Sequence, residues 1–233
     1  MSQQSRLEHI AVTGAEAFGR LGYRRTRMAD VAASAGLSAG AIYIYVESKE
    51  ALFHLVMLSL LDTVPASEDG LPLIAPPFAE TLAMIDGQLL TQAAVPALQA
   101  AARIRTPADV RAELAEIVAE QYAMIQRLWP ALAVIERCAV DLPELHEFYF
   151  QLRRRDHLNL FARYVADRSG SGHFASFTDT RVAAQLAIES IVWFAWHRLE
   201  GFDAGEFDQG ETGRQTVIEF VGNALISPPA STR

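Results

Sequence analysis

Cysteine occurs once in this 233-residue sequence, at Cys138, and lysine once, at Lys49. A lone cysteine excludes an intrachain disulfide and any zinc site built on several thiolates. No stretch approaches the ~20 uninterrupted apolar residues of a membrane-spanning helix. The opening MSQQSRLEHIA also lacks the apolar run of a secretory signal. Glu-x-x-His pairs, His-Glu-x-x-His, aspartate-rich metal runs and glycine-rich phosphate loops are all missing; His146-Glu147 continues as Phe148-Tyr149-Phe150, so the zinc spacing fails. No metal, cofactor or catalytic set is expected, and an all-helical enzyme has no motif behind it. What remains is 51% hydrophobic and 21% charged, which suits a folded, cytoplasmic chain rather than a disordered one.

The formal charge of −8 is unevenly spread: residues 1–50 carry a net +1 and the remainder −9. Arg20, Arg24, Arg25 and Arg27 supply four of the six cations of the first 50 residues. An acidic body with a small basic patch at one end suits a polyanion bound at that end.

Hydrophobic spacing predicts helix almost throughout, an all-α chain. Leu7, Ile10, Ala11, Gly14, Ala17, Phe18 and Leu21 recur at three and four, one amphipathic face, and Gly22 provides a stop. Thr26 is placed to cap RMADVAASA, Ser38 to cap AGAIYIYV, and Ser48 to cap a helix running from Lys49 to about Thr63. The proline-rich stretch from Val64 to Pro77 reads as a loop. Further helices are expected over 78–104, 108–128, 130–140, 143–168, 179–200 and 212–226, with Thr106-Pro107 as a start and Pro130 and Pro143 as breaks. The expected division is a small amino-terminal domain over 1–50 and a larger helical domain over 51–233.

Residues 27–46 meet the steric demands of a helix-turn-helix. Ala32 is small where two helices cross, Gly36 follows by four to take the positive φ of a sharp turn, and Ile42 by six to plug the core. At 100° per residue, Ile42 and Val46 face inward while Ile44 points away from the core, flanked by Tyr43 and Tyr45. An outward isoleucine between two tyrosines suits a helix lying in a major groove, where an aliphatic group meets a thymine methyl and tyrosine hydroxyls meet phosphates. Ala39, Gly40 and Ala41 keep the start of that helix slender. Thr26 and the Arg24–Arg27 cluster sit where the first helix begins, and Lys49 opens the helix after the motif. These basic and tyrosine positions argue against an effector carrier that has lost DNA binding.

Residues 6–53 resemble the N-terminal domain of TetR-family transcriptional regulators. The matching elements are Ala17-Phe18, Gly22-Tyr23, Thr26, Asp30-Val31-Ala32, Ala35-Gly36-Leu37-Ser38, Gly40, Tyr43 and Ser48-Lys49-Glu50-Ala51-Leu52. Val46 replaces a commoner phenylalanine, and Arg27-Met28 a frequent threonine-aliphatic pair. The resemblance implies a three-helix DNA-binding domain, a fourth helix leading to a ligand-binding and dimerisation domain, and a homodimer on a palindromic operator. It implies release by a small-molecule effector, repression, and DNA contacts from Arg25, Thr26, Arg27, Met28, Ser38, Ala39, Gly40, Ala41, Tyr43, Ile44, Tyr45 and Lys49.

In the body, Ala183, Ala184, Ala187, Ile191 and Ala195 form a small-residue stripe, and Val217, Phe220, Val221, Ala224 and Leu225 a second apolar face. The resemblance makes these the dimer seam, through helices near 179–200 and 212–226. Tyr122, Trp129, Phe148, Tyr149, Phe161, Trp193 and Trp196 are candidates to line a pocket for a hydrophobic or aromatic effector. Glu189, inside an apolar helix, needs a partner: Arg137, His157 or a cationic effector.

Overall fold

In the computed structural model of the chain, residues 3–62, 70–197 and 210–227 are described. They contain no strand; the β pairings among them are the isolated bridges Val46–Leu73 and Phe174–Ile226. Helices α1 (Gln3–Leu21), α2 (Met28–Ser34), α3 (Lys49–Leu60), α4 (Phe78–Gln92), α5 (Pro96–Ala101), α6 (Val110–Ala139), α7 (Pro143–His146), α8 (Arg155–Gly170), α9 (Thr180–Val192) and α10 (Gly210–Leu225) follow in order. A 3₁₀ helix spans Ala41–Ile44, and π-helical segments span Glu147–Arg154 and Trp193–His197. Residues 64–69 of the expected loop 64–77, the helix end at 198–200 and residues 201–209 of the expected connector lie outside the described residues.

The chain falls into two compact units, Met1–Gln92 with Leu128–Leu152, and Ala93–Arg127 with Arg153–Arg233. The first has its core where α1, α2 and α3 meet: Ile10, Phe18, Val31, Ala32, Ile42, Val46, Leu52 and Phe53 are all at most 1% exposed. Phe18 stacks on Tyr23 at 5.8 Å between ring centroids, and Phe53 meets both edge-on. Gly36 takes φ +68, as a turn between α2 and the next helix requires. Ser48 caps α3 as expected, its side chain accepting from Ala51 N–H.

In the second unit, α8 and α9 pack along their length. Arg168, in the last turn of α8, is only 2% exposed. Its guanidinium meets Glu113 through two hydrogen bonds, 2.8 and 2.9 Å, and donates to the carbonyls of Ile104 and Ala101, so a short loop and two helices are tied to one cation. Tyr164 donates to the same carboxylate at 3.1 Å, and burial pushes its hydroxyl pKa far above the ordinary value.

Several helix boundaries differ from expectation for identifiable reasons. Asp109, not Thr106, starts α6: its carboxylate accepts from Arg111 and Ala112 N–H. Pro130 does not interrupt α6, which runs 30 residues; a proline removes one N–H donor, and the turns on either side hold the segment helical. The helix expected over 78–104 breaks before Pro96, which opens α5 at a position where its missing N–H costs nothing. Thr26 does not cap α2; Arg27 occupies that position, and the Thr26 hydroxyl donates to the Gly22 carbonyl at 2.8 Å.

Candidate nucleic-acid interface

The second helix of the motif is shorter than its sequence suggests. Instead of eight helical residues, only Ala41–Ile44 are helical, with Ser38 Oγ accepting from Ala41 N–H at 3.2 Å. Two β-branched residues, Ile42 and Ile44, and a glycine at 40 weaken a longer α-helix. The far end is fixed by a contact that spacing does not announce. Leu73 N–H donates to Tyr45 O at 2.8 Å and Glu47 N–H to Leu73 O at 3.0 Å, so the chain stops being helical at Val46.

The facing expected from the sequence is nonetheless present. Ile42 and Val46 are wholly buried, whereas Tyr43 is 47% and Ile44 60% exposed, with Tyr45 half-buried. Ser38, Ala39 and Gly40 are exposed and Ala41 is half-buried, leaving a slender approach to these side chains. Arg25 and Arg27 are exposed and Met28 half-buried. Arg25 donates from Nε to the Leu21 carbonyl at 2.9 Å.

Two of the selected residues turn inward. Thr26 is 1% exposed. Lys49 donates from Nζ to the carbonyls of Tyr23, Arg24 and Thr26, at 2.8, 3.3 and 2.9 Å, and lies 4.8 Å from the centre of the Tyr23 ring. The Tyr23 hydroxyl donates to Glu50 at 2.8 Å, and burial raises its pKa far above that of a free phenol. Glu50 is held below the ordinary carboxylate range, first by a backbone N–H and then by Tyr23. Asp141 was not among the selected residues, yet its Oδ2 accepts from Arg24 N–H at 2.8 Å.

The candidate effector residues are divided between the two compact units. Trp129, Phe148 and Tyr149 belong to the first compact unit; Tyr122, Phe161, Glu189, Trp193 and Trp196 to the second. Glu189 is not a buried charge: 41% exposed, it pairs with Arg154 at 2.8 Å, not with Arg137 or His157. Arg137 points instead to the Gly19 carbonyl at 3.4 Å. Within the second unit, Tyr122 donates to Phe194 O at 3.2 Å. The buried atoms Gln121 Oε1, His157 Nε2 and Trp196 Nε1 have no hydrogen-bond partner among the described residues. Gln121 sits within the apolar stripe Leu114, Ile117, Val118 and Ile125, where a polar residue at a core spacing is itself a sequence signal.

The alanines of the expected seam are buried in the second unit's own core: Ala183 and Ala187 are 7% exposed and Ala184 not at all. What faces outward is larger: Val182, Leu186, Trp193 and Phe220, at 51, 65, 57 and 62% exposure. Val182, Leu186 and Phe220 rim an apolar groove of about 460 Å³ between α9 and α10, floored by Ala183, Ala187, Val221 and Leu225. The described helices include none long and apolar enough to cross a membrane.

Comparison with known proteins agrees with this geometry. Residues 10–56 match the family described as bacterial regulatory proteins, tetR family. No curated protein matches the sequence. Among solved structures, the ketosteroid transcriptional regulator KstR2 of Mycobacterium tuberculosis is 16% identical with a TM-score of 0.58, covering 98% of each chain. AibR, solved with isovaleryl coenzyme A and operator DNA, is 16% identical with a TM-score of 0.54, covering 96% of this chain and all of its own. At such identities the likeness is one of fold. Residues 10–56 are therefore similar to the tetR family of bacterial regulatory proteins, and the chain shares the all-helical fold of these solved regulators.

Proposed function

We propose that this chain is a ligand-responsive repressor of transcription that works in the cytoplasm, binds a palindromic operator as a homodimer and is released by a small hydrophobic or aromatic effector. The observation that carries the reading is the pairing of exposed Tyr43 and Ile44 with wholly buried Ile42 and Val46 on one short helix. A 60%-exposed isoleucine beside an exposed tyrosine, both on the outer face of the helix-turn-helix motif, favours a surface that meets another molecule. In a major groove, Ile44 covers a thymine methyl, Tyr43 reaches a phosphate, and Arg25 and Arg27 add backbone contacts from the start of α2.

The effector and dimer contacts belong to residues 51–233. A second copy is the occupant of the groove between α9 and α10, because the apolar side chains around it lie on the two helices the family pairs across its dimer. The unpartnered buried atoms of Gln121, His157 and Trp196 favour an effector with an apolar body and a few hydrogen-bonding groups. The relatives in fold are consistent with that chemistry, one named for ketosteroids and one solved with an acyl coenzyme A.

In a symmetric pair the two exposed helices enter successive major grooves about 34–36 Å apart, and an effector favouring another spacing weakens binding. About 1.4 kcal/mol of coupling suffices for a tenfold loss of affinity. The test is a salt titration of binding to duplex fragments from the organism's own genome. Tyr43→Phe is expected to weaken binding to all sequences alike, and Ile44→Ala to alter preference at one base pair. Wild-type protein whose retention on duplexes is independent of salt is no DNA-binding regulator.

A further inference from the structure

The geometry points to Lys49 as a positioning residue that shapes the DNA-reading surface from behind by clasping the turn 22–26, and not as a phosphate ligand. The inference rests on the DNA-binding reading above but departs from the role the family resemblance gives this lysine.

The turn between α1 and α2 has no regular partner for its backbone, so each polar group must be met individually. The carbonyls of Tyr23, Arg24 and Thr26 converge on one atom, Lys49 Nζ, at 2.8, 3.3 and 2.9 Å. An ammonium has three N–H donors and no more, so this set uses all of them. The Tyr23 ring closes over the cation, and the Tyr23 hydroxyl is tied to Glu50, the neighbour of Lys49 on α3. From the other side the Asp141 carboxylate takes the Arg24 N–H, and Thr26 returns both its N–H and its hydroxyl to the Gly22 carbonyl. The turn is thereby fixed to the first turn of α3. Arg25 and Arg27, the outward residues proposed to meet the DNA backbone, are carried on the turn and immediately beyond it.

A phosphate oxygen offered to Lys49 would have to displace one of three carbonyls and leave it unpaired, which opposes the exchange. Arginine separates the two roles. At a phosphate contact a guanidinium replaces an ammonium well. Its planar fork cannot direct three donors from one nitrogen onto three converging carbonyls.

The experiment measures wild type, Lys49→Arg and Lys49→Met binding to a duplex fragment that the wild type retains. Both substitutions are expected to weaken binding tenfold or more. Lys49→Arg binding within twofold of wild type overturns the proposal, whatever its melting temperature. A second measurement needs no variant: acylation of wild-type Lys49 by a sulfosuccinimidyl acetate, read by mass spectrometry with and without duplex. The clasp predicts slow modification in both states, relative to the same reagent on denatured protein. Rapid modification of the free protein that DNA suppresses would overturn it. If the wild type binds no duplex, the DNA-binding reading fails, and the DNA-free acylation rate still reports on the clasp.

Discussion

Leu186→Glu tests the outward face of α9 in numbers. Burying a leucine side chain completely contributes about 1.5–3 kcal/mol. Leu186 retains 65% of its exposure in the single chain, so about 1–2 kcal/mol is still to be gained when a second copy covers it. Twofold symmetry uses the position twice, which makes about 2–4 kcal/mol for the pair. Glutamate forfeits this and brings two carboxylates into an apolar groove beside Val182 and Phe220 without a cation to meet them. A net loss of at least about 3 kcal/mol raises the dimer dissociation constant more than a hundredfold. Sedimentation equilibrium over a wide range of concentrations reads this directly. Leu90→Glu, equally apolar and 58% exposed but on α4, serves as the control and should leave association unchanged. Unaltered association in Leu186→Glu, or a wild-type chain that stays monomeric at high micromolar concentration, refutes the reasoning.

Two further outcomes follow from the second unit. Glu113→Leu strands the Arg168 guanidinium, whose side chain is 3% exposed, and should destabilise the fold by about 3–5 kcal/mol in chemical denaturation; Glu113→Leu with Arg168→Met should recover part of that loss, and a double variant worse than the single one contradicts the account. Burial lowers the pKa of His157, so the folded chain holds it neutral while the unfolded chain protonates it below its ordinary value near 6.5. Stability is therefore present above that value and declines as pH falls through it, by at most about 1.4 kcal/mol per pH unit for this group. Melting curves at successive pH values should show a shallower acid decline in His157→Leu, and an unchanged one would remove His157 as a cause.

The helix-turn-helix was legible because its determinants are local. Ala32, Gly36 and Ile42 specify a close crossing, a positive-φ turn and a plug within a dozen residues, and Ser48 needed only the amide three residues on. Thr26 misled because one hydroxyl can serve either as a cap or as a donor to the preceding turn, and the Gly22 carbonyl was the available acceptor. Partners across helices were not legible. Glu189 meets Arg154, just before α8, because α8 and α9 pack in a particular register, which periodicity on one helix does not contain. The same holds for Lys49, whose three acceptors lie 23–26 residues earlier in the chain. Along α9 the alanines of the stripe are buried in the single chain, while Val182 and Leu186, with Phe220 of α10, face outward.

The first compact unit is not contiguous, and its missing stretch comes late. Leu128, Ala131, Val134, Ile135 and Cys138, all buried, belong with the helices of residues 1–60, yet about 80 further residues separate Leu60 from the end of α6. At 5–20 residues per second, a ribosome takes roughly 4–16 s to deliver them. For that interval the nascent amino-terminal helices lack part of the apolar cover they have in the finished fold. An amino-terminal fragment excised for study would inherit the same deficit permanently.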